Sequence, residues 1–359
     1  MSLKKIIGSD GNVFRSITEL AKVVHKRRNT ISGFLKQGSF EHDGVKYHYE
    51  EEGDKEDNKV DEEYENYKSA KKNDFEFYKF GEDSIKSGDK FVIALFSDAH
   101  IEETVNKDSV LGLNEYNTEI AKYRIERYFV GLSKCLQIDG ASKLFFASLG
   151  DTISGFIHES LQQENGMTPP EAVIFGQSLI VSGLKYLKEH NPNIDITFIG
   201  IYGNHSRLTK KIQYDNGFKL SYEYIMYKNI KSICELSGMD INFILPKSEM
   251  CLVELPNKER VIFIHGYQVR SSGTGSVCGI YPALQRLAMK WDRTFHQNHI
   301  YLGHFHSSIS IPTATVNGSI IGYNAFAMSN GFSCEEPTQM YELYDNEIGH
   351  ILTRKIYCK

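Results

Sequence analysis

The chain has 359 residues, 41% of them apolar, enough for one large domain or a large domain with a small companion around a buried core. No apolar run reaches 18 residues, so no membrane span is expected, and Met1-Ser2-Leu3-Lys4-Lys5 leads into polar residues rather than a secretory apolar stretch. The net charge of −5 hides an asymmetry: residues 1–49 hold nine Lys/Arg and four Asp/Glu, while the remainder holds 32 basic and 42 acidic residues. A basic head on an acidic body suggests that the head meets a polyanion.

Residues 1–49 read as a compact module. Ser16 with Glu19 three residues later is a capping-box signal, and Ile17, Leu20, Ala21 and Val24 follow with helical spacing. The pattern breaks between His25 and Arg28, resumes at Thr30, Ile31, Phe34 and Leu35, and meets a helix stop at Gly38. Two short helices joined by a tight turn predict a helix-turn-helix. In that motif the start of the second helix lies near base edges, and here it carries Arg27, Arg28, Asn29, Thr30 and Ser32. The module resembles the small modular DNA-binding repeats found beside homing endonucleases and phage enzymes. Val45, Tyr47 and Tyr49 alternate with polar residues after Asp43-Gly44, which predicts a small hairpin.

Residues 50–75 begin with Glu50-Glu51-Glu52-Gly53-Asp54 and close on Lys71-Lys72, the composition of an exposed acidic linker. The third part, residues 76–359, contains short apolar runs at Phe91–Phe96, Leu144–Ala147, Ile196–Ile201, Val261–Ile264 and Ile300–Leu302. Runs of this length fit strands buried on both faces. Long helical patterns separate the first three: one through Ile120, Tyr123, Tyr128, Leu132 and Leu136, another through Val173, Leu179, Leu184 and Leu187. Strands alternating with helices predict an α/β layered body, and residues 308–357 read as mostly β.

A polar block follows each of the five runs: Asp98-Ala99-His100, Gly150-Asp151, Gly203-Asn204-His205, His265-Gly266 and Gly303-His304-Phe305-His306. Side chains just past the ends of neighbouring strands converge on one rim, where α/β sheets build sites. Carboxylate, amide oxygen and imidazole suit borderline divalent ions such as manganese, iron, zinc or nickel. The six cysteines, at 135, 234, 251, 278, 334 and 358, lie outside every block and form no close pair. That argues against a structural zinc site and fits reduced thiols in a cytosol.

On these five ordered blocks, residues 91–340 resemble the calcineurin-like metallophosphoesterase family, including its phage-type members and DNA-repair exonucleases. The resemblance implies two mixed β-sheets sandwiched between helices. It implies Asp98, His100 and His306 on one divalent ion, Asn204, His265 and His304 on a second, and Asp151 bridging them, with manganese foremost. It gives His205 the role of protonating the leaving oxygen or stabilising the transition state. One departure stands out: the acidic residue that usually follows Gly-Asn-His, and can orient the histidine, is Ser206 here. Arg207 follows, as in phage-type members, and is expected to bind a phosphate oxygen.

Two ions about 3.5–4 Å apart would clamp a phosphoryl group and lower the pKa of a shared water. DNA is the expected substrate and partner. The supporting features are the basic head, the cation–aromatic stretch from Arg207 to Tyr227, and the Gly/Ser-rich loop Gln268 to Ile280 containing Arg270. A cyclic-nucleotide or small-molecule phosphodiesterase or phosphatase is the enzymatic alternative, and a DNA-binding regulator the non-enzymatic one. A cytoplasmic location without membrane association is expected, and homo-oligomerisation is left open.

Overall fold

The computed structural model describes residues 5–49, 88–157, 161, 165–269 and 277–359. The chain divides into two compact units, residues 1–81 and 82–359. The predicted linker at 50–75 lies outside the described residues, as do the predicted boundaries on either side of it.

The first unit carries the two predicted helices, α1 (Ile17–Val23) and α2 (Arg28–Lys36). Ser16 caps α1 by accepting the Glu19 N–H at 3.2 Å, and Glu19 reaches back to the Arg15 N–H at 2.7 Å. His25, at φ 51°, breaks the backbone between the helices. The module is not purely helical. It adds a four-stranded antiparallel sheet of β1 (Ile6–Gly8), β2 (Val13–Phe14), β3 (Phe40–His42) and β4 (Val45–Tyr49), in the order β2-β1-β4-β3. The predicted hairpin is β3–β4. Asp43 and Gly44 both take positive φ there, as a two-residue turn demands. Leu20, Ile31 and Leu35 pack with Ile6, Phe14, Phe40 and Tyr47 in this unit's own core.

The second unit is built on two mixed sheets. The larger holds β5 (Lys90–Phe96), β6 (Lys143–Ser148), β7 (Asp195–Gly200), β8 (Asn242–Ile244), β14 (Thr338–Asp345) and β15 (Gly349–Tyr357), in the order β15-β14-β5-β6-β7-β8. Strands β5 to β8 are parallel, and β14 and β15 add antiparallel pairs. The smaller holds β9 (Met250–Glu254), β10 (Arg260–Ile264), β11 (His299–Leu302), β12 (Ile309–Ile311) and β13 (Ala314–Val316), in the order β12-β13-β11-β10-β9.

Alternation along the strands defines four layers. Val92, Ala94 and Phe96 face a core shared with the helices α3 (Thr118–Asp139), α4 (Pro169–His190) and α5 (Tyr222–Leu236). Their neighbours Phe91, Ile93 and Leu95 face the other way and pack with Val261, Phe263 and Tyr301 of the smaller sheet. Ile262, Ile264, Ile300 and Leu302 then pack with Leu284 and Ala288 of α6 (Val277–Phe295). This is the expected sandwich of two mixed sheets between helices. The C-terminal part is mostly β as predicted, interrupted by the short helix α7 (Ala325–Ser329). No helix among the described residues is long and apolar enough to cross a membrane.

Candidate metal centre

The five polar blocks sit just beyond the C-terminal ends of β5, β6, β7, β10 and β11. Because β5–β6–β7 and β10–β11 run parallel within their sheets, those ends share a rim in each sheet. Backbone bonds stitch the loops together: Asp98 N donates to Gly150 O at 3.0 Å, His100 N to Asp151 O at 3.1 Å, and Gly303 N to His265 O at 2.7 Å.

Two groups of ligand atoms result. Asp98, His100 and His306 form one, and Asp151, His265 and His304 form the other, with the atoms of each group within 4.8 Å of one another. Asp98, His100, Asp151, His304 and His306 all take positive φ, between 46° and 71°. Left-handed backbone is uncommon outside glycine and persists where the surroundings fix it. The loop–loop bonds supply that fixing. Gly203 is glycine for a related reason: a Cβ there would overlap the Asp151 carboxylate.

Protonation states follow from the partners. Ser154 Oγ donates to Glu103 Oε2 at 3.1 Å, so it accepts from His100 Nδ1 at 2.8 Å. His265 Nδ1 lies 2.7 Å from Leu149 O, and His205 Nδ1 lies 3.2 Å from Ser154 O; a carbonyl only accepts, so both nitrogens carry hydrogen. His100, which burial holds neutral, therefore aims the lone pair of its Nε2 inward, whereas His265 keeps a proton on Nε2 facing Asp151 until an ion displaces it. Among the described residues, His100 Nε2 and Asn204 Oδ1 are buried without a hydrogen-bond partner. His265 Nε2 stands 2.9 Å from Asp151 Oδ2. Orphaned buried lone pairs beside two buried carboxylates are costly unless a cation joins them. The donor set thus fits two divalent ions.

The electrostatics agree. Burial opposes charge on Asp151, but His265 and His205 hold its carboxyl well below the usual range. Burial likewise opposes charge on Asp98, and the bond to His306 holds it low. Burial works against a charged His265, yet Asp151 overrides it and lifts the imidazole to about 9. Burial, then the charge of His265, takes His304 down to about 3.

Among the described residues the side-chain oxygen of Asn204 is buried without a partner, and its chain neighbours Gly203 and His205 both pack on Asp151. Ser206 is buried and bonds to Ser221 Oγ at 2.9 Å, so it takes no part in orienting His205. The orienting acceptor of His205 is the Ser154 carbonyl. Arg207 donates to the carbonyls of Asn204, Thr209 (3.1 Å) and Lys210 (3.5 Å), bracing the loop that carries Asn204. A narrow pocket of about 20 Å³ opens beside it, lined by Asn204, Arg207, Glu249 and Tyr267 among others. In the cation–aromatic stretch, Phe218 packs edge-to-face on Tyr224 at 5.0 Å, while Tyr214, Lys210, Lys211 and Lys219 are exposed. Residues 270–276 of the Gly/Ser-rich loop, with Arg270, lie outside the described residues.

Several buried groups around the ligands carry no motif of their own. Glu223 accepts the Thr152 N–H at 2.6 Å and the Gly203 N–H at 2.7 Å, tying the Asp151 loop to the Asn204 loop. Glu102, Glu103 and Ser154 form a second such set. No spacing in the sequence marks these residues.

No protein-family model matches the chain, and no curated protein matches it. Among solved structures it is similar to a putative 5'-nucleotidase from Staphylococcus aureus, at 10% identity over 75% of this chain and 54% of that one, with a TM-score of 0.31. It is similar to a 5'-nucleotidase from Candida albicans, at 8% identity over 72% of this chain and 48% of that one, TM-score 0.32. It is also similar to a phosphatase from Mycoplasma pneumoniae, at 11% identity over 76% of this chain and 93% of that one, TM-score 0.32. The chain spans about half the length of each nucleotidase.

Proposed function

We propose that the protein is a two-metal phosphodiesterase that cleaves DNA. The observation that carries the hydrolytic half is the pair of ligand groups, Asp98/His100/His306 and Asp151/His265/His304. Two divalent ions, manganese foremost, would polarise a phosphoryl group and lower the pKa of a water held between them. Asp151 belongs to the second group: its Oδ2 faces His265, its backbone carbonyl accepts the His100 N–H at 3.1 Å, and its Oδ1 accepts the His205 N–H at 2.8 Å. That last bond fixes the backbone of His205 against the Asp151 carboxylate. Its Nδ1 is held by Ser154, so the ring presents its other edge to the leaving oxygen and delivers a proton there. Arg207 has two N–H groups beyond its three carbonyl bonds, and these take a phosphate oxygen.

The DNA half rests on the first unit. Helix α2 buries Ile31 and Leu35 and leaves Arg27, Arg28, Asn29 and Thr30 exposed at its start. A solvent-facing row of donors on a net-basic module suits a phosphate backbone. The deciding experiment incubates Mn2+-loaded protein with single- and double-stranded DNA, a cyclic dinucleotide, a phosphodiester reporter and a phosphomonoester reporter. DNA cleavage is expected. Hydrolysis of the monoester alone would replace the nuclease reading with a phosphatase one.

A further inference from the structure

His100 and His205 stand edge to face with ring centroids 4.9 Å apart, and both lean on the same residue. Ser154 Oγ lies 2.8 Å from His100 Nδ1, and Ser154 O lies 3.2 Å from His205 Nδ1. One residue thus meets a metal ligand through its side chain and the proposed acid through its backbone.

Ser154 is itself seated by two adjacent carboxylates. Its N–H donates to Glu102 Oε1 at 2.8 Å, and the same oxygen accepts the Gly155 N–H at 2.8 Å. Its hydroxyl donates to Glu103 Oε2 at 3.1 Å, while Glu103 Oε1 accepts from Asn324 Nδ2 at 3.0 Å. Ser154, Glu102 and Glu103 are all buried. Buried carboxylates that accept several hydrogen bonds fix the donors in place, because releasing any one of them leaves a polar group unsatisfied.

We propose that Ser154, seated by Glu102 and Glu103, is a shared positioning residue: its hydroxyl orients His100 on its metal, and its carbonyl orients His205 toward the leaving oxygen. The Glu102–Glu103 pair thereby supplies, through one intermediary, the orienting carboxylate that Ser206 does not provide. The His100 arm rests only on metal binding. The His205 arm rests on the phosphodiesterase reading.

The two arms separate by substitution. Ser154→Ala removes the hydroxyl and keeps the carbonyl. In a calorimetric Mn2+ titration it should weaken one of two sites by about 10- to 100-fold and leave the other unchanged. The ratio of kcat for 4-nitrophenyl and phenyl phosphodiesters should stay at its native value. Glu102→Ala frees the main chain at Ser154. It should retain both Mn2+ ions and lose roughly tenfold more kcat on the phenyl ester, whose departure needs the proton, than on the 4-nitrophenyl ester. Glu102→Gln keeps the single accepting oxygen and should restore native behaviour.

Native Mn2+ affinity at both sites in Ser154→Ala would overturn the His100 arm. Equal losses on the two esters in Glu102→Ala, or a Glu102→Gln variant as impaired as Glu102→Ala, would overturn the His205 arm. If Glu102→Ala does not fold, the Glu102→Gln ester ratio decides that arm: a native ratio supports it and a shifted one overturns it. A native protein that binds two Mn2+ yet hydrolyses neither ester would instead sink the phosphodiesterase reading, with the Ser154→Ala titration still deciding the first arm.

Discussion

The carboxylate of Asp98 accepts the backbone N–H of His304, at 3.1 Å and 3.0 Å to its two oxygens. Asp98 belongs to one ligand group and His304 to the other, so a single side chain joins the two. Asp98→Ala should therefore weaken both metals, each by about 10- to 100-fold or more. His306→Ala, which removes a ligand of the Asp98 group, should weaken one. Metal stoichiometry after dialysis checks the contrast. Equal single-site losses in both variants would show that the Asp98–His304 bond does not couple the groups.

His205→Ala should keep two metals, because its ring belongs to neither ligand group. Its kcat should fall by about 10²- to 10⁴-fold on esters with poor leaving groups and by much less on 4-nitrophenyl esters. Loss of metal together with activity would make His205 a ligand.

Gly203→Ala tests the packing beneath the centre. The added Cβ would overlap the Asp151 carboxylate, and Asp151 is held on its other side by His265. A destabilisation of about 1–3 kcal/mol is expected, with weaker metal binding, read from urea unfolding and metal titration on the same preparation.

The pH dependence of metal-free protein has a defined sign. The folded pKa of His265, about 9, lies above its ordinary value of 6.5. Its contribution is fully present below 6.5 and is lost as pH rises through about 9. Glu102, which burial pushes up to about 7, has the same sign and loses its contribution as pH passes that value. His304, at about 3, has the opposite sign but acts only below 6.5. Above 6.5, then, the metal-free protein should lose Tm as pH rises. Metal binding requires an unprotonated His265. The gap in Tm between metal-loaded and metal-free protein should therefore widen from about pH 6.5 to pH 9, and calorimetry showing a constant gap would remove His265 as the site of proton–metal exchange.

The DNA reading is tested by salt. Arg27→Ala with Arg28→Ala removes two exposed cations from the start of α2. If both meet phosphates, the slope of log K against log salt should become shallower by roughly two units, with little dependence on sequence. An unchanged slope would mean that this module binds something other than DNA.

The sequence disclosed the layers because strands buried on both faces must be apolar throughout, as Phe91–Phe96 is. It disclosed the ligand blocks because chemistry needs particular side chains at strand ends. It was silent on β1 and β2, which have three and two residues, too few for a period to appear. It was silent on Ser154, Glu102, Glu103 and Glu223 for another reason. These residues act through hydrogen bonds between loops distant in sequence, such as Glu223 to Thr152, and no spacing encodes such a bond. The replacement of an acid by Ser206 was visible, but the compensating acceptor, Ser154, lies 51 residues before His205.

The left-handed backbone at Asp98, His100, Asp151, His304 and His306 bears on which replacements the protein can survive. Asparagine and glycine tolerate that conformation, whereas valine, isoleucine and threonine resist it. At His100 a β-branched substitution would strike twice, removing a donor and straining the chain, while His100→Asn would leave the loop relaxed and the metal weakly held. Inactive but well-folded descendants of this protein would thus be expected to carry Asn or Gly at these five places, a mutational footprint set by the main chain rather than by the metal.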